Sequence, residues 1–295
     1  MGNAPAPRPG SAARAPAPGG PVQRYFGDIR CLLAAPELLV LQVAHPTVGA
    51  GVAQHSGFRT SPWTRLWHTL LSLDTVVYGG QRAAEAEAVR LRALHAGITG
   101  TDARGRPYRA LDPEAYHWVH ATLVQGAVDA HQRFGTPLSA ETVEDYYREM
   151  RDLGRLWGLA DRDLPPDWAA FRAYYTAMVE HRLEPTPAVR RVLRMLRHPA
   201  RPRVRWLPAP LWRPVAEPLG RGTLLVTTGM LPPELRRRLG LAWTPRQERA
   251  LRRFALLVRS VLAVVPPPLR TALSRQLARY ALRHPPGRLP TGTAR

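Results

Sequence analysis

Seven of the chain's ten histidines fall between positions 45 and 131: His45, His55, His68, His95, His117, His120 and His131. Imidazole is the commonest protein ligand for transition metals and the usual proton carrier near neutral pH. Two groups among them have neighbours that complement a metal or a cofactor. The first joins His95 to Arg65, His68 and Thr69. Those three recur at i, i+3 and i+4, which sets them on one face of a helix. Residues 62–78 and 81–98 both read as helices parted only by Gly79-Gly80, so they predict an antiparallel pair. Residue numbers summing to about 160 then stand at similar height, with Arg65 level with His95 and His68 about one turn away. Such a pocket offers an imidazole to iron and a cation to carboxylates or negative oxygen. The same four residues also suit a polar network inside a bundle, and the spacing alone leaves both open.

The second group follows Asp112-Pro113: Glu114, Tyr116, His117, Trp118 and His120. Glu114-x-x-His117 is the one E-x-x-H in the chain, whereas a di-iron carboxylate bundle needs two such motifs and two further glutamates. His117 and His120 at i, i+3 suit a mononuclear metal without an evident third ligand. His120 reads either as a side chain that orients the pocket from behind or as a satisfied core histidine. There is no G-x-S-x-G, Walker loop, G-x-G-x-x-G, H-E-x-x-H or C-x-x-C-H, which removes the commonest hydrolase, nucleotide and c-type haem readings.

The elements that must position these residues are helical. Ser61-Pro62, Asp112-Pro113, Thr186-Pro187 and Thr244-Pro245 each pair a capping side chain with proline at the first helical position. Gln247 adds a capping box to Thr244. Gly79-Gly80, Gly100, Gly135 and Gly158 mark stops. Helices are predicted near 28–44 (interrupted at Pro36), 46–56, 62–78, 81–98, 113–134, 140–157, 166–182, 187–197, 245–263 and 268–283. Ala88, Leu91, Leu94, His95 and Ile98 carry the three–four spacing of one buried face. No run alternates at period 2, and the Pro- and Arg-rich stretch 198–222 reads as a wrapping segment. The fold class is all-α.

At 295 residues and 45% hydrophobic composition the chain can bury a sizeable core. Residues 1–20 are of low complexity in Ala, Pro, Gly and Arg and are expected to be a disordered tail. They contain no apolar signal-peptide core. A single domain is expected over 21–295. Cys31 is the lone cysteine, which excludes an intramolecular disulfide framework and fits a cytoplasmic, reducing setting. All 42 basic residues are arginine. Residues 1–185 hold 19 Arg against 19 acidic residues, while 186–295 hold 23 Arg against Glu217, Glu234 and Glu248. The net charge of +20 therefore lies wholly in the last third. That third reads as a solvated helical face, as a surface for docking on anionic membrane, or as a site for an acidic redox partner. No helix–turn–helix or aromatic–basic surface points to nucleic acid.

A run of ordered motifs adds a family resemblance: Ala44-His45-Pro46-x-Val48-Gly49-Ala50-Gly51-Val52-x-x-His55-Ser56-x-Phe58, Pro62-x-x-Arg65-Leu66-x-x-Thr69, His95-x-x-Ile98-x-Gly100, Gly105-x-Pro107-Tyr108-x-Ala110-x-Asp112-Pro113 and Trp118-Val119-His120-Ala121-Thr122-Leu123. In order and number they resemble the MpaB / latex-clearing-protein (rubber oxygenase) family, the DUF2236 domain, over about residues 22–160. Pro232-Pro233 and Leu241-x-Trp243 extend the likeness. The resemblance implies a globin-like helical bundle binding haem b, with His95 as the proximal iron ligand. It implies Arg65 and Thr69 as pocket residues and, at the position of a lysine that can cap the distal side, His68 as a second ligand or an outward-pointing side chain. It further implies an oxygenase that cleaves carbon–carbon double bonds of isoprenoid-like, lipophilic substrates with dioxygen. Gly49–Gln54, where a catalytic carboxylate is expected by this resemblance, holds no Asp or Glu. The alternative is a non-catalytic basic helical protein held to membrane or an acidic partner.

Overall fold

Helices α1 (Cys31–Ala44) and α5 (Pro113–Phe134) lie side by side and antiparallel in the main core. The computed structural model describes residues 13–55, 62–102, 104–202 and 208–284. Asp112 caps α5 by accepting from the N–H groups of Glu114 and Ala115, and Pro113 fills the first helical position. Such a cap contributes about 1 kcal/mol. Buried residues lie all round α5, as befits a core helix. Trp118, wholly buried, donates its indole N–H to the Leu41 carbonyl at 3.0 Å, and Gln42 donates to Thr122 Oγ1 at 2.9 Å. These bonds lock α5 on α1.

α1 passes through Pro36 without a break, which corrects the expected interruption. Proline there removes one backbone bond, and the packing on α5 carries the helix across it. α2 (Pro46–His55) turns away from α1 by 103° at His45-Pro46. Among the described residues no single helix is long and apolar enough to cross a membrane.

α3 (Pro62–Tyr78) and α4 (Gly80–Ala96) form the expected antiparallel pair. Gly80 has φ +76°, a left-handed conformation that side chains oppose, so the tight reversal needs glycine there. The cap expected at Ser61 lies outside the described residues. α4 stops at Gly97 rather than near Gly100, because residues 99–101 leave it as β1, paired antiparallel with β2 (Pro107–Arg109). With three residues in each strand, this hairpin is too short for a period-2 pattern to reveal it.

α6 (Ala140–Leu156), α7 (Trp168–His181) and α8 (Pro187–Arg197) complete the main core, with Tyr146, Tyr147, Met150, Leu153 and Phe171 fully enclosed. The wrapping segment expected at 198–222 is corrected in its second half, where α9 spans Ala209–Met230. Pro210, Pro214 and Pro218 are spaced by four, so they share one face, and that face is exposed. The opposite side keeps its hydrogen bonds and packs on α1 and α8. α10 (Pro233–Arg238), α11 (Pro245–Ala263), α12 (Pro267–Arg270) and α13 (Ala272–Arg283) follow. The one helix expected over 268–283 is thus two. α13 lies along α3, with Leu277 and Ala281 against Leu71 and the Trp67 and Tyr280 rings edge to face at 5.8 Å.

Of the expected N-terminal tail, residues 1–12 lie outside the described residues. From Ala13 onward the chain is bonded to the bundle. Ala15 N–H donates to Gln81, and Gly20 closes on Glu149 so tightly that a β-carbon would overlap its carboxylate.

Candidate functional site

The register predicted for α3 and α4 is tested by two observations. Ser72 donates a short hydrogen bond to Glu87, which Arg90 also holds through Nε at 2.7 Å. Those residue numbers sum to 159. About two turns further along, Arg65 stands close enough to His95 to disfavour its protonation, and that pair sums to 160. The Gly79-Gly80 reversal therefore sets Arg65 opposite His95, as the spacing required.

His95 occupies the last turn of α4 and is half-buried. Its Nδ1 lies 2.8 Å from the Leu91 carbonyl, and the Tyr116 ring meets it edge on at 5.8 Å. A carbonyl can only accept, so Nδ1 carries the proton and Nε2 keeps its lone pair. Burial lowers the His95 pKa, the Leu91 bond partly offsets this, and Arg65 lowers it further. The imidazole is thus neutral at physiological pH, the state a metal ligand requires, and its second nitrogen is fixed by a backbone carbonyl as ligating histidines are.

Arg65 has an exposed side chain, yet burial lowers its pKa. Among the described residues Arg65 has no carboxylate partner, so its charge is uncompensated. Thr69, on the same face, donates its hydroxyl to the Arg65 carbonyl at 2.9 Å. His68 is half-buried and has no hydrogen bond or ring contact among the described residues. The structure therefore brings Arg65 and His95 together with Thr69 beside them, while no contact ties His68 to the group. Sequence reasoning grouped Tyr116 with His117 and His120 and did not place it beside His95, a contact between distant helices that no local spacing encodes.

The second histidine group is arranged differently. Glu114 turns away from His117 and meets His45 Nε2 at 3.2 Å and the Arg182 guanidinium, with Arg182 Nε at 2.9 Å. His117 stacks on Tyr174 at 4.3 Å, and His120 Nε2 bonds the Met150 carbonyl at 2.8 Å. Burial pushes His117 down to about 4 and His120 to about 3, the latter also by its neighbour His117. Both are neutral core side chains at neutral pH. Among the described residues no group of three or more His, Cys, Asp or Glu is gathered for a metal ion, so a cation here has no third ligand of those types. At the end of the stretch 49–54, Gln54 and the following His55 reach the hairpin: Gln54 donates to the Thr101 carbonyl at 2.7 Å and His55 Nε2 to that of Thr99 at 2.9 Å.

Residues 23–260 match a family described as ER-bound oxygenase mpaB/B'/Rubber oxygenase, catalytic domain. Two mycobacterial relatives, each described as an uncharacterized protein, come from Mycobacterium bovis and Mycobacterium tuberculosis. Each is 31% identical over 217 residues, which is 72% of this chain and 80% of the relative. Among solved structures, latex clearing protein in its closed state superposes with a TM-score of 0.53 at 19% identity, covering 92% of this chain and 76% of that one. That likeness is one of fold.

Proposed function

The chain belongs to the ER-bound oxygenase mpaB/B'/rubber oxygenase catalytic-domain family, and on that premise we propose that it is a haem b-dependent oxygenase. Its reaction uses dioxygen to oxidise or cleave a carbon–carbon double bond of a lipophilic, isoprenoid-like substrate. The observation that carries this reading is the donor set at the end of α4: a neutral imidazole, anchored through Nδ1, beside an exposed arginine without a carboxylate partner among the described residues.

When bound, haem b supplies the redox-active iron that makes dioxygen reactive towards an alkene. His95 would offer its Nε2 lone pair to the iron, with Leu91 and Tyr116 holding the ring in place. Arg65 would supply a fixed positive charge to a carboxylate of the group or to another anion beside it. The Thr69 hydroxyl spends its proton on the Arg65 carbonyl, so towards the pocket it acts as an acceptor and braces the turn that carries Arg65. His68 would be a second imidazole for the group. Leu66 is exposed beside Arg65 and suits an apolar substrate, whose alkene offers few polar handles. A cytoplasmic setting is part of the proposal; Cys31, the lone cysteine, directs its thiol at the Tyr25 carbonyl at 3.2 Å.

The test is titration of the purified chain with haem b, read by the Soret band and by iron content. Wild type should saturate at one haem per chain, and His95→Ala should lose at least about a hundredfold in affinity. His68→Ala should alter the axial-ligand spectrum without abolishing binding. Full haem occupancy in His95→Ala would refute the ligand assignment.

A further inference from the structure

The charge of α11 is sorted along its axis rather than around it. Arg246, Arg249, Arg252 and Arg253 lie on the same face as Leu256, Leu257, Ser260, Val261 and Val264, and all are exposed. The opposite face, with Leu251, Ala255, Phe254 and Val258, packs on Phe134, Val226 and Trp243. The arginines occupy the first half of the exposed face and the aliphatic residues the second. Exposure at the aliphatic end is high: 61% for Leu257, 53% for Val261 and 82% for Val264. α12 extends that end with Leu269, and Ile29 joins it through an N–H bond of 3.0 Å to the Arg270 carbonyl. Residues 249–284 contain eight arginines and no Asp or Glu. Among the described residues Arg246, Arg249 and Arg253 have no ion-pair partner, and Arg252 meets only Glu248, at 3.6 Å.

We propose that the α11–α12 end is a peripheral docking site for an anionic lipid bilayer, with the aliphatic tip entering the headgroup–acyl boundary and the arginines meeting lipid phosphates. The dimensions agree. Eleven residues separate Arg253 from Val264, about 16 Å of helix. A tilted α11 sinks its tip to the depth of roughly 5–10 Å typical of interfacial helices while its arginines stay at phosphate level. Charge selects this occupant over a second copy of the chain. A two-fold contact through this face brings no acidic surface to the arginines: antiparallel copies lay them on the partner's aliphatic end, and a contact at the arginine end sets like charges together. The site is independent of what the α3–α4 cleft binds, so its test needs no cofactor or substrate.

The experiment is co-sedimentation of the full chain with extruded vesicles of phosphatidylcholine, with and without phosphatidylglycerol, at low and high salt. Wild type should bind the phosphatidylglycerol vesicles at low salt. Arg249→Gln with Arg253→Gln should weaken that binding roughly 25-fold, about fivefold for each charge, and the difference should shrink at high salt. Leu257→Glu with Val264→Glu should weaken it at least about tenfold. Arg148→Glu, an exposed charge change on α6, should leave it unaltered. Thermal melts check that each variant folds; the arginine pair, which keeps the apolar tip, carries the test if the glutamate pair does not. Absence of wild-type binding to anionic vesicles at low salt overturns the proposal. So does unaltered binding by the variants, or a wild-type dimer in light scattering that the glutamate pair abolishes.

Discussion

Replacing Asp74 by asparagine should change how the stability of the protein depends on pH. Asp74 sits in α3 where α13 covers it, 5% exposed, bonded to Ser274 and with Oδ2 left without a partner. Burial raises its carboxyl from 3.8 to about 7, with the Ser274 bond opposing that rise. A carboxyl raised in the folded state holds its proton more tightly there than in the unfolded chain. Its contribution to stability is therefore full below about pH 4 and is lost as pH rises towards 7. A shift of about 3 units corresponds to about 4 kcal/mol as an upper bound, with a slope of up to about 1.4 kcal/mol per pH unit. The amide introduced by Asp74→Asn keeps an acceptor for Ser274 and does not titrate. Urea unfolding of wild type and Asp74→Asn from pH 4 to pH 8.5 measures the difference. The buried histidines, His117 and His120 above all, impose an opposite slope on the acid side, but both proteins share it and it cancels. The wild type should lose stability relative to Asp74→Asn between about pH 5 and pH 7 and run parallel to it above pH 8. A difference that stays constant over the whole range would refute the burial argument.

Other variants probe the joints that position the cleft. Gly220→Ala should destabilise by roughly 1–3 kcal/mol, read from urea midpoints, because a β-carbon at Gly220 would meet the Arg197 carbonyl at the end of α8, which is backbone and cannot swing aside. Thr244→Ala removes the capping box that starts α11 and should cost about 1 kcal/mol; an unchanged melting temperature would count against the cap. Arg65→Gln should weaken haem binding while leaving the folded circular dichroism spectrum intact, since Arg65 has no ion pair among the described residues to lose.

Several features of the fold were legible because they are local. Asp112, Thr186 and Thr244 cap their helices as their Pro-following positions imply, and Gln247 completes its box. The α3–α4 register followed from two glycines and counting, which is why Arg65 and His95 were placed opposite each other. What stayed hidden is decided by distant packing. α9 was concealed by three prolines whose common spacing confines their damage to an exposed face. The hairpin after Gly97 carries no alternating pattern, and its strands are held by Gln54 and His55 from α2. Tyr116 meets His95 across two helices that are not neighbours in sequence, so neither helix's own spacing announces the contact. The polarity of α11 was visible as mixed Leu and Arg, but its division along the axis emerges only when burial is known.

The pairing of α3 with α13 joins residues 62–78 to residues 272–283, a separation of about 200 positions. Contacts of that span close slowly and late. During synthesis the ribosome makes α3, α4 and α5 long before it makes α13, so the face of α3 that Leu277 and Ala281 cover, Leu71 included, has no partner until the chain is nearly finished.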